Sequence, residues 1–420
     1  MSERTPVETL RHLFDIAVAA CHPARVIPAA LPPRPPGRII VLGAGKASAA
    51  MAAAVEAVWG GPLEGHIVTR YGHGAPTKWI EVIEAGHPLP DSAGAEAADR
   101  ALARVQGLTA NDLVLVLLSG GGSALWSAPI PPITLAEKQE LTKALVLSGA
   151  SIGDINCVRK HLSRIKGGRL AIAAHPARVL TLAISDVPRD DISIVASGPT
   201  VADSTTQHDA KRILSTFGIA TPPSVASVLN DRRYESIKPN DPRLAAGSAR
   251  VIARGVDAVQ AANKEAQRLG LDVLVIGSDI EGDAAEVARN QAAVVRGIER
   301  PVKPLLLLSG GELTVAVKGQ GRGGPNRQYL LSLARAFDGR RNTWAMACDT
   351  DGIDGNDDTA GAWIAPDTIE RAAQLRLDPE AAEQANDAGT FFDKLGQSVV
   401  TGPTRTNVND FRAILVMPGN

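Results

Sequence analysis

Aromatic residues and cysteines are scarce in this chain of 420 residues. Phe, Trp and Tyr together make up 3% of the sequence, so the core must be built mainly from Ala, Val, Leu and Ile. The three cysteines, Cys21, Cys157 and Cys348, are scattered and form no CxxC pair. Their spacing argues against a disulfide framework or a structural zinc site and fits a reducing cytoplasm.

Excess charge and long apolar runs are also missing. Lys and Arg number 44 against 45 Asp and Glu, which gives a net charge of −1, so an electrostatic nucleic-acid binder is not expected. We find no run of about 18 apolar residues and predict no membrane span. The first residues are charged and lack the apolar segment of a secretory signal. We therefore expect a cytoplasmic protein.

The sequence instead contains a repeated alternation of short apolar runs and helical patterns. At 420 residues and 45% hydrophobic content, the chain exceeds one ordinary core and favours two α/β domains. Strands that alternate with helices predict a mostly parallel sheet covered on both faces. A polar, aperiodic stretch at residues 234–247 predicts the boundary, with domains at 1–238 and 239–420. In the second domain, residues 312–318 alternate apolar and polar side chains, which predicts an antiparallel strand and a mixed sheet.

The predicted elements follow this alternation in both domains. The predicted strands are residues 38–42, 66–70, 79–83, 113–118, 178–184, 250–253, 271–276, 304–308, 343–348 and 411–417. The predicted helices are residues 7–20, 46–59, 92–105, 134–147, 154–165, 256–269, 283–299 and 325–337. Residues 28–36 are rich in proline and are expected to form a non-helical connector.

The pentapeptide LLSGG occurs twice, at residues 117–121 and 307–311, each time at the end of an apolar run. Each copy predicts a buried strand that ends in small residues, whose bare N–H groups a ligand can approach. We interpret the two turns as facing one cleft between the domains and holding one polyanionic ligand, with Lys46 between them. The first turn is not a nucleophile elbow around Ser123, because Leu125 stands where a glycine is required. The candidate anion contacts are Ser119, Gly120, Gly121, Gly122 and Ser123 in the first turn and Gly310, Gly311 and Glu312 in the second.

A glycine-rich turn, Gly43-Ala44-Gly45-Lys46, joins a predicted strand to a helix. It departs from the dinucleotide-binding fingerprint, because Ser48 takes the third glycine position and the next strand ends in Thr69-Arg70 without an acid. It is not a P-loop either, since Ala47 stands where Ser or Thr is required. The remaining interpretation is a turn that carries Lys46 to a helix N-terminus, where anions bind favourably. The alternative is a plain turn with an exposed lysine.

Cations are concentrated on the helix predicted over residues 154–165. Asn156, Lys160 and Ser163 recur at helical spacing and share a face, and Arg159 stacks on Ser163. The two hypotheses are phosphate or carboxylate binding and a solvated basic face, while His161 is expected to be structural. A further glycine-rich helix start at residues 321–328 adds the candidates Gly323, Gly324, Asn326 and Arg327.

Carboxylates follow two predicted strands, at the ends where α/β proteins place metal ligands. Asp186 and Asp191 follow the first, ahead of a small-residue turn at Ser197-Gly198 that is another anion candidate. Asp349 and Asp351 follow the second. The second cluster does not fit an EF-hand, whereas Mg²⁺ needs only one or two carboxylates. For Asp186 and Asp349 the alternative is simple turn capping.

Seven segments, taken in order, resemble those of the glycerate 2-kinases, which are bacterial and animal glycerate kinases with a C-terminal domain called MOFRL. The segments are GAGKAS, LLSGGGSAL, DINCVRKHLSRIKGGRLA, SDVPRDDISIVASGPT, LLLLSGGELTV, GRGGPNRQYLL and DTDGIDG. The resemblance covers almost the whole chain, with MOFRL at about residues 304–417. It implies a Rossmann-like N-terminal domain, a distinct α/β C-terminal domain and an active site in the cleft between them.

The resemblance also implies a reaction and roles for several residues. The reaction is ATP-dependent phosphorylation of D-glycerate at the C2 hydroxyl, with Mg²⁺, giving 2-phosphoglycerate and ADP. The family's catalytic lysine falls on Lys46. For this reaction we predict that Arg159 or Lys160 holds the substrate carboxylate. Asp186 or Asp349 would hold Mg²⁺ or accept the hydroxyl proton, and the metal candidates are Asp186, Asp191 and Asp351. Where the family usually has a second cation this chain has Pro325, so either Arg322 or Arg327 supplies that charge or the role is dispensable.

Two other functions stay open at this point. The first is an NAD(P)H-dependent hydroxypyruvate reductase, a label that members of the family have often carried. The second is a sensor that binds a nucleotide or sugar acid without catalysis, which Pro325 favours. The expected partners are glycerate and ATP alone, with no nucleic acid or membrane, and the chain is expected to be a monomer or a homodimer.

Overall fold

The structure is a computed structural model that describes residues 4–298, 301–337, 342–355 and 357–418. The chain divides into two compact units, Pro23–Ala253 and a second unit that combines Met1–His22 with Arg254–Asn420. The second unit is therefore assembled from both ends of the chain. The predicted boundary after residue 238 differs from this division, because the strand Ser248–Ala253 pairs in parallel with Arg178–Ile184 and belongs to the first unit.

Helices and strands alternate along most of the described chain. The α-helices are α1 (Pro6–Ala20), α2 (Pro23–Ala30), α3 (Ser48–Trp59), α4 (Ser92–Arg104), α5 (Gly122–Leu125), α6 (Leu135–Leu147), α7 (Ile152–His161), α8 (Arg169–Ala174), α9 (Gln207–Thr216), α10 (Pro223–Asn230), α11 (Gly255–Arg268), α12 (Ala284–Gly297), α13 (Pro325–Phe337), α14 (Thr368–Gln374), α15 (Pro379–Gln384) and α16 (Ala388–Leu395). The strands are β1 (Ile39–Ala44), β2 (Glu64–Arg70), β3 (Glu81–Ala85), β4 (Leu113–Leu118), β5 (Arg178–Ile184), β6 (Ser248–Ala253), β7 (Asp272–Gly277), β8 (Gly282–Asp283), β9 (Leu305–Gly311), β10 (Leu313–Thr314), β11 (Thr343–Asp349), β12 (Gly361–Ile364), β13 (Ser398–Val399) and β14 (Asp410–Val416).

The unit Pro23–Ala253 is built on a six-stranded sheet in the order β3-β2-β1-β4-β5-β6, with every neighbouring pair parallel. Its central strands β1 and β4 are buried along their whole length. Ile40 and Leu42 of β1 share a core with residues of α4 and α8, while Val41 on the opposite face is also fully buried. The predicted Rossmann-like parallel sheet with both faces covered is therefore confirmed.

A second core, built mainly from helices, lies in the same unit. Apolar side chains of α6, α7, α9 and α10 pack together, among them Leu141, Val158, Ile213 and Val228. This core fixes α6 and α7 against each other, and these two helices carry several of the cationic side chains described below.

The other unit contains the sheet β13-β12-β11-β14-β9-β7. Only β7 and β9 pair in parallel, and the other neighbours are antiparallel, so the predicted mixed sheet is confirmed. The predicted antiparallel strand at residues 312–318 is wrong, because only Leu313–Thr314 is a strand and it pairs in parallel with Gly282–Asp283. Further along, the Asn386 side chain accepts bonds from the amides of Lys318 and Gly319, which holds that segment as a loop.

Helix α1 packs with the C-terminal residues rather than with the parallel sheet that follows it. It buries Leu10, Leu13, Phe14 and Ala17, and the rings of Phe14 and Phe411 lie 5.8 Å apart. Residues Pro6–Ala30 are long and apolar enough for a membrane span, but a core helix near an N-terminus passes the same test, so this is weak evidence.

Several predicted bounds differ from the structure. Pro28 lies inside α2, so the predicted connector begins later than expected. Helix α7 ends at His161, whereas the pattern predicted helix to residue 165. The predicted end of α12 at residue 299 lies outside the described residues. The sequence patterns also gave no indication of α8, α9, α10, α14, α15 and α16.

Candidate functional site

The turn between β1 and α3 is joined to the turn after β4 by several hydrogen bonds. The Lys46 amide donates to Gly120 O at 2.8 Å, and the Ala47 amide donates to Ser119 Oγ at 2.9 Å. Gly45 has φ +145°, and a Cβ there would lie 2.2 Å from Ser119 Oγ, so glycine is required for this close approach. In a dinucleotide-binding fingerprint, amides of this turn bind the pyrophosphate. Here the amides of Lys46 and Ala47 instead bond to Gly120 and Ser119 of the same protein.

The turn after β4 has the properties of an anion cradle. Among the described residues, the backbone N–H groups of Gly120, Gly121 and Ser123 have no hydrogen-bond partner. A Cβ at Gly121 would lie 3.0 Å from the His87 ring and 3.4 Å from Lys46 Cγ. The glycine therefore lets these two side chains approach the open amides, and a cationic side chain beside bare N–H groups favours an anionic ligand.

A third turn, at residues 195–198, lies against the second. Ala196, Ser197 and Gly198 have φ values of 51°, 60° and 57°, and this left-handed conformation costs about 1–2 kcal/mol for each residue that is not glycine. Ser197 Oγ lies 2.7 Å from Ser123 Oγ and donates to Asn156 Oδ1 at 3.0 Å. Three segments predicted separately, at residues 119–123, 156 and 197–198, are thus brought together by hydrogen bonds.

The cations of α7 differ in their surroundings. Lys160 is buried, and its Nζ lies 3.3 Å from Asp203 Oδ1, so it already has an internal counter-ion. The Arg159 side chain has no hydrogen-bond or ion-pair partner among the described residues, and burial lowers its pKa to about 10. His161 bridges Cys157 O and Glu235 Oε1, each at 2.8 Å, which agrees with the structural role expected for it.

The two carboxylates after β5 lie near the strained turn. Asp186 is half-buried just beyond the end of the strand. Asp191 is exposed, and its Oδ1 accepts the Ser193 amide at 2.9 Å, which is a local turn-capping contact. Within the described residues, no three or more His, Cys, Asp or Glu side chains are grouped to hold a metal ion. A site for Mg²⁺ that keeps several water ligands needs only one or two carboxylates, and Asp186 at the carboxyl end of β5 fits that requirement.

The acidic cluster after β11 is organised by its own backbone. Asp349 Oδ1 accepts the Asp351 amide, and Asp351 Oδ1 accepts the Ile353 amide, both at 2.8 Å. Asp351 is almost fully buried, whereas Asp349 is half-buried. One carboxylate oxygen of each aspartate therefore caps a turn, which is the alternative considered for Asp349.

The start of α13 is filled by a carboxylate of the same chain. Asp354 accepts the amides of Asn326 and Arg327 at 2.9 and 3.0 Å. The Arg327 guanidinium is completely buried, with Nε at 3.0 Å from Asp354 Oδ2 and Nη1 at 2.9 Å from Asp357 Oδ2. The donors of Arg327 are used internally in this structure, and the expectation that it binds a ligand stays a prediction. A Cβ at Gly324 would lie 2.4 Å from Asp354, so this glycine serves the same internal packing.

The second LLSGG segment differs from the first. Gly310 and Gly311 lie inside β9 and are buried, and a Cβ at Gly311 would lie 2.3 Å from backbone atoms of Ile280. Gly310 O accepts bonds from the Ile280 amide and from Arg412 Nη2, while Glu312 is exposed. Here glycine permits close packing of two backbones. The shared cleft for the two turns stays a prediction.

Comparisons with known proteins now add to this geometry. Residues 9–230 match a family described as a domain of unknown function (DUF4147), and residues 305–410 match the MOFRL family. The D-glycerate 2-kinase of Thermotoga maritima is 38% identical over 400 residues, which span 94% of each chain. A crystal structure of glycerate kinase from the same organism has a TM-score of 0.86 at 37% identity and covers 96% of this chain and 98% of its own.

The chain belongs to the glycerate 2-kinase family. A protein of Agrobacterium vitis that is provisionally named hydroxypyruvate reductase is 49% identical over 416 residues, covering 97% of this chain and 94% of its own. The chain is thus a kinase of the glycerate kinase type, whose relatives carry two different activity names.

Three residues near the candidate site of this glycerate 2-kinase family member were not among the predicted site residues. His87 approaches the first cradle from the segment after β3, and its position beyond a strand end was the available signal. Lys138 and Lys166 are both buried, and nothing in the pattern of α6 separates Lys138 from an ordinary surface lysine. Lys166 stands inside a segment that carries the family resemblance, next to the glycines at 167–168.

Proposed function

We propose that this enzyme transfers the γ-phosphoryl group of ATP to the C2 hydroxyl of D-glycerate, giving 2-phosphoglycerate and ADP. The observation that carries the proposal is the open set of amides at Gly120, Gly121 and Ser123, with Lys46 beside them. Phosphoryl transfer depends mainly on positioning and on charge stabilisation, and bare amides next to a lysine supply both. The relatives named D-glycerate 2-kinase and glycerate kinase support the choice of substrate.

Each part of this arrangement has a definite role in the proposal. The open amides hold phosphate oxygens, and Lys46 offsets the charge that develops on the transferring group. The hydroxyls of Ser123 and Ser197, joined at 2.7 Å, can hold the substrate hydroxyls next to that group. Mg²⁺, when bound by Asp186 with water ligands, would neutralise phosphate charge. Asp349 and Asp351 stay candidates for the same task.

The reductase alternative rests on the name of the Agrobacterium vitis relative. Against it, the amides of Lys46 and Ala47 are bonded to Gly120 and Ser119, so the glycine-rich turn cannot offer them to a dinucleotide. The two activities are separated by one pair of assays. Coupled ADP release with D-glycerate or L-glycerate, with and without Mg²⁺, tests the kinase, and the phosphorylated carbon identifies the product. Oxidation of NADH or NADPH that depends on hydroxypyruvate would overturn the proposal.

Replacement of Lys46 by Ala tests the mechanism directly. If Lys46 stabilises the transferring phosphoryl group, we expect Lys46→Ala to lower turnover by about 100-fold or more, while the fold is retained. Steady-state ADP release measures this, with Lys143→Ala on the exposed side of α6 as the control at wild-type rate. Near-normal turnover in Lys46→Ala would remove this lysine from the mechanism.

The setting of the reaction is also a proposal. We infer a cytoplasmic enzyme whose partners are the small molecules glycerate and ATP, since the three buried cysteines form no disulfide in the described structure and the relatives are named glycerate kinases. We expect a monomer or a homodimer, and the molar mass measured by light scattering distinguishes the two.

A further inference from the structure

Three cationic side chains of the unit Pro23–Ala253 lie close together, and two of them are deeply buried. Lys138 on α6 is 4% exposed, and its Nζ is buried with no hydrogen-bond partner among the described residues. Lys166, between α7 and α8, is completely buried, and its Nζ has one long contact, 3.4 Å, with Ala196 O. Arg159 on α7 is half-buried. Burial, followed by repulsion from Lys138 and Arg159, lowers the pKa of Lys166, which places the three charges near each other.

No carboxylate balances this cluster within the described residues. The nearby acids are used elsewhere, because Asp203 pairs with Lys160 and Asp99 pairs with Arg164. Burial lowers the pKa of Lys138 to about 7, with Arg159 and Arg164 as further causes and no acid opposing them. An uncompensated buried ammonium is strongly unfavourable, so buried charges are normally paired. The cluster therefore has the composition of a site that is completed by an anion.

The cluster adjoins the candidate site through three connections. Lys166 contacts Ala196, and a Cβ at Gly122 would lie 2.7 Å from Ala196 Cβ. Arg159 is three residues from Asn156, which accepts the bond from Ser197. Next to Lys138, Gln139 Nε2 donates to Pro90 O at 2.6 Å, in the segment that begins with His87. The same turns that form the first cradle thus border these cations.

We propose that Lys138, Arg159 and Lys166 form an oxyanion pocket that binds the carboxylate of the hydroxy-acid substrate. This assignment of the ligand rests on the proposed function, and the pocket itself rests on the uncompensated cations. Phosphate groups already have the open amides and Lys46. Of the other cations on α6 and α7, Lys143 is exposed and Lys160 is paired with Asp203, so neither offers the carboxylate of glycerate a buried charge that is still available. A planar guanidinium also matches a carboxylate through two parallel hydrogen bonds.

The test replaces Lys138 by Met in the full-length protein, because Met keeps the length of the side chain and removes the charge. The control is Lys143→Met, an exposed lysine on the same helix. Calorimetric titration should show affinity for D-glycerate lower by about 10- to 100-fold in Lys138→Met and unchanged affinity for ATP. The ligand-free variant should also have a higher Tm than the wild type, since an unpaired buried charge is gone. Lys143→Met should match the wild type in all three measurements.

Arg159→Met provides a second variant if Lys138→Met does not fold, and the same loss of glycerate affinity is expected. A selective loss of ATP affinity would overturn the carboxylate assignment, because the pocket would then hold a nucleotide phosphate. Unchanged affinity for both ligands together with an unchanged Tm would overturn the pocket itself.

Failure of the proposed function gives a different result. If the wild type does not bind glycerate, millimolar sulfate becomes the probe. Stabilisation of the wild type and of Lys143→Met by sulfate, but not of Lys138→Met, would support the pocket while the kinase proposal fails. Equal stabilisation of all three proteins would overturn the pocket.

Discussion

Arg327 is a cation at a helix start whose hydrogen-bond donors are used within the fold. Its guanidinium is completely buried, Nη2 donates to Asp354 O, and the other two nitrogens bond Asp354 and Asp357. Burial raises the pKa of Asp354, and Arg327 opposes that rise. The arginine therefore favours the ionised form of a buried carboxylate, and that carboxylate in turn caps the start of α13.

Removal of this buried pair should be costly for stability. We expect Arg327→Met to lower the free energy of unfolding by about 3–5 kcal/mol, because Asp354 would be left buried without its counter-ion. The matched control is Arg322→Met. Arg322 also contacts Asp357, but its side chain is 57% exposed, so at most about 1 kcal/mol should be lost. Urea unfolding of the two variants measures the difference, and equal losses would contradict this account.

The sequence was most informative where a side chain follows a strand end. Lys46, Ser123 and Ser197 were selected as site candidates at such positions, and the structure places the hydroxyls of Ser123 and Ser197 2.7 Å apart. Their roles in binding and catalysis stay predictions. The sequence did not indicate that Arg327 is buried, because the aspartates that bond it lie some thirty positions away along the chain. Burial of a charge depends on such distant partners, and no local pattern contains them.

At the scale of elements, three turns are packed so closely that their glycines leave no room for a side chain. A Cβ at Gly122 would lie 2.7 Å from both Ala196 Cβ and Ala44 O. The contact with Ala196 aligns Ser123 with Ser197, and hence the first cradle with the strained turn at residues 195–198. The glycine run after β4 is thus explained by packing as well as by access for a ligand.

A methyl group at this position should separate the turns. We expect Gly122→Ala to lower the free energy of unfolding by about 1–3 kcal/mol, as overpacked sites do, and to weaken binding of an anion at the cradle. Gly153→Ala is the control, since Gly153 is exposed in α7 and its Cβ would meet only Ser151 Oγ at 3.7 Å. That change should leave stability equal or higher by up to about 1 kcal/mol. Thermal unfolding of both variants distinguishes the outcomes, and a stable Gly122→Ala protein would contradict the packing argument.

The bounds and pairing of some strands could be predicted from the sequence, and those of others could not. Strands β4 and β5 have the predicted bounds because both are continuous apolar runs, which few other structures accommodate. The alternation of apolar and polar residues at 312–318 led to a wrong strand prediction. The amides of Lys318 and Gly319 bond the Asn386 side chain instead of a neighbouring strand, so this part of the chain is a loop. The edge strand β6 was recognised but assigned to the second domain, because its pairing with β5 is a long-range property.

At the scale of the whole molecule, the unit that contains the C-terminus depends on the first helix of the chain. Helix α1 contacts α11, β11 and β14, and Phe14 is 1% exposed. The apolar face of this helix completes a core whose other members lie hundreds of residues later.

Shortening a side chain in this apolar face should therefore destabilise the C-terminal residues that it packs against. We expect Phe14→Ala to destabilise the unit by about 3–5 kcal/mol and to speed amide exchange in β9, β11 and β14. Exchange in β1, β4 and β5 should change much less, since they belong to the other unit. Leu375→Ala, at a side chain that is 53% exposed, is the control and should leave both patterns unchanged. Faster exchange confined to the parallel sheet would contradict this assignment of α1.

The separation of α1 from its partners also sets the order in which the chain can fold during synthesis. Translation proceeds at about 5–20 residues per second, so on the order of tens of seconds pass between the appearance of Phe14 and that of Phe411. Pro23–Ala253 is synthesised in full before α11, β11 and β14, which α1 contacts. The part of the protein made first is therefore among the last to reach its final contacts, and a chaperone that covers an exposed amphipathic helix would find its substrate there.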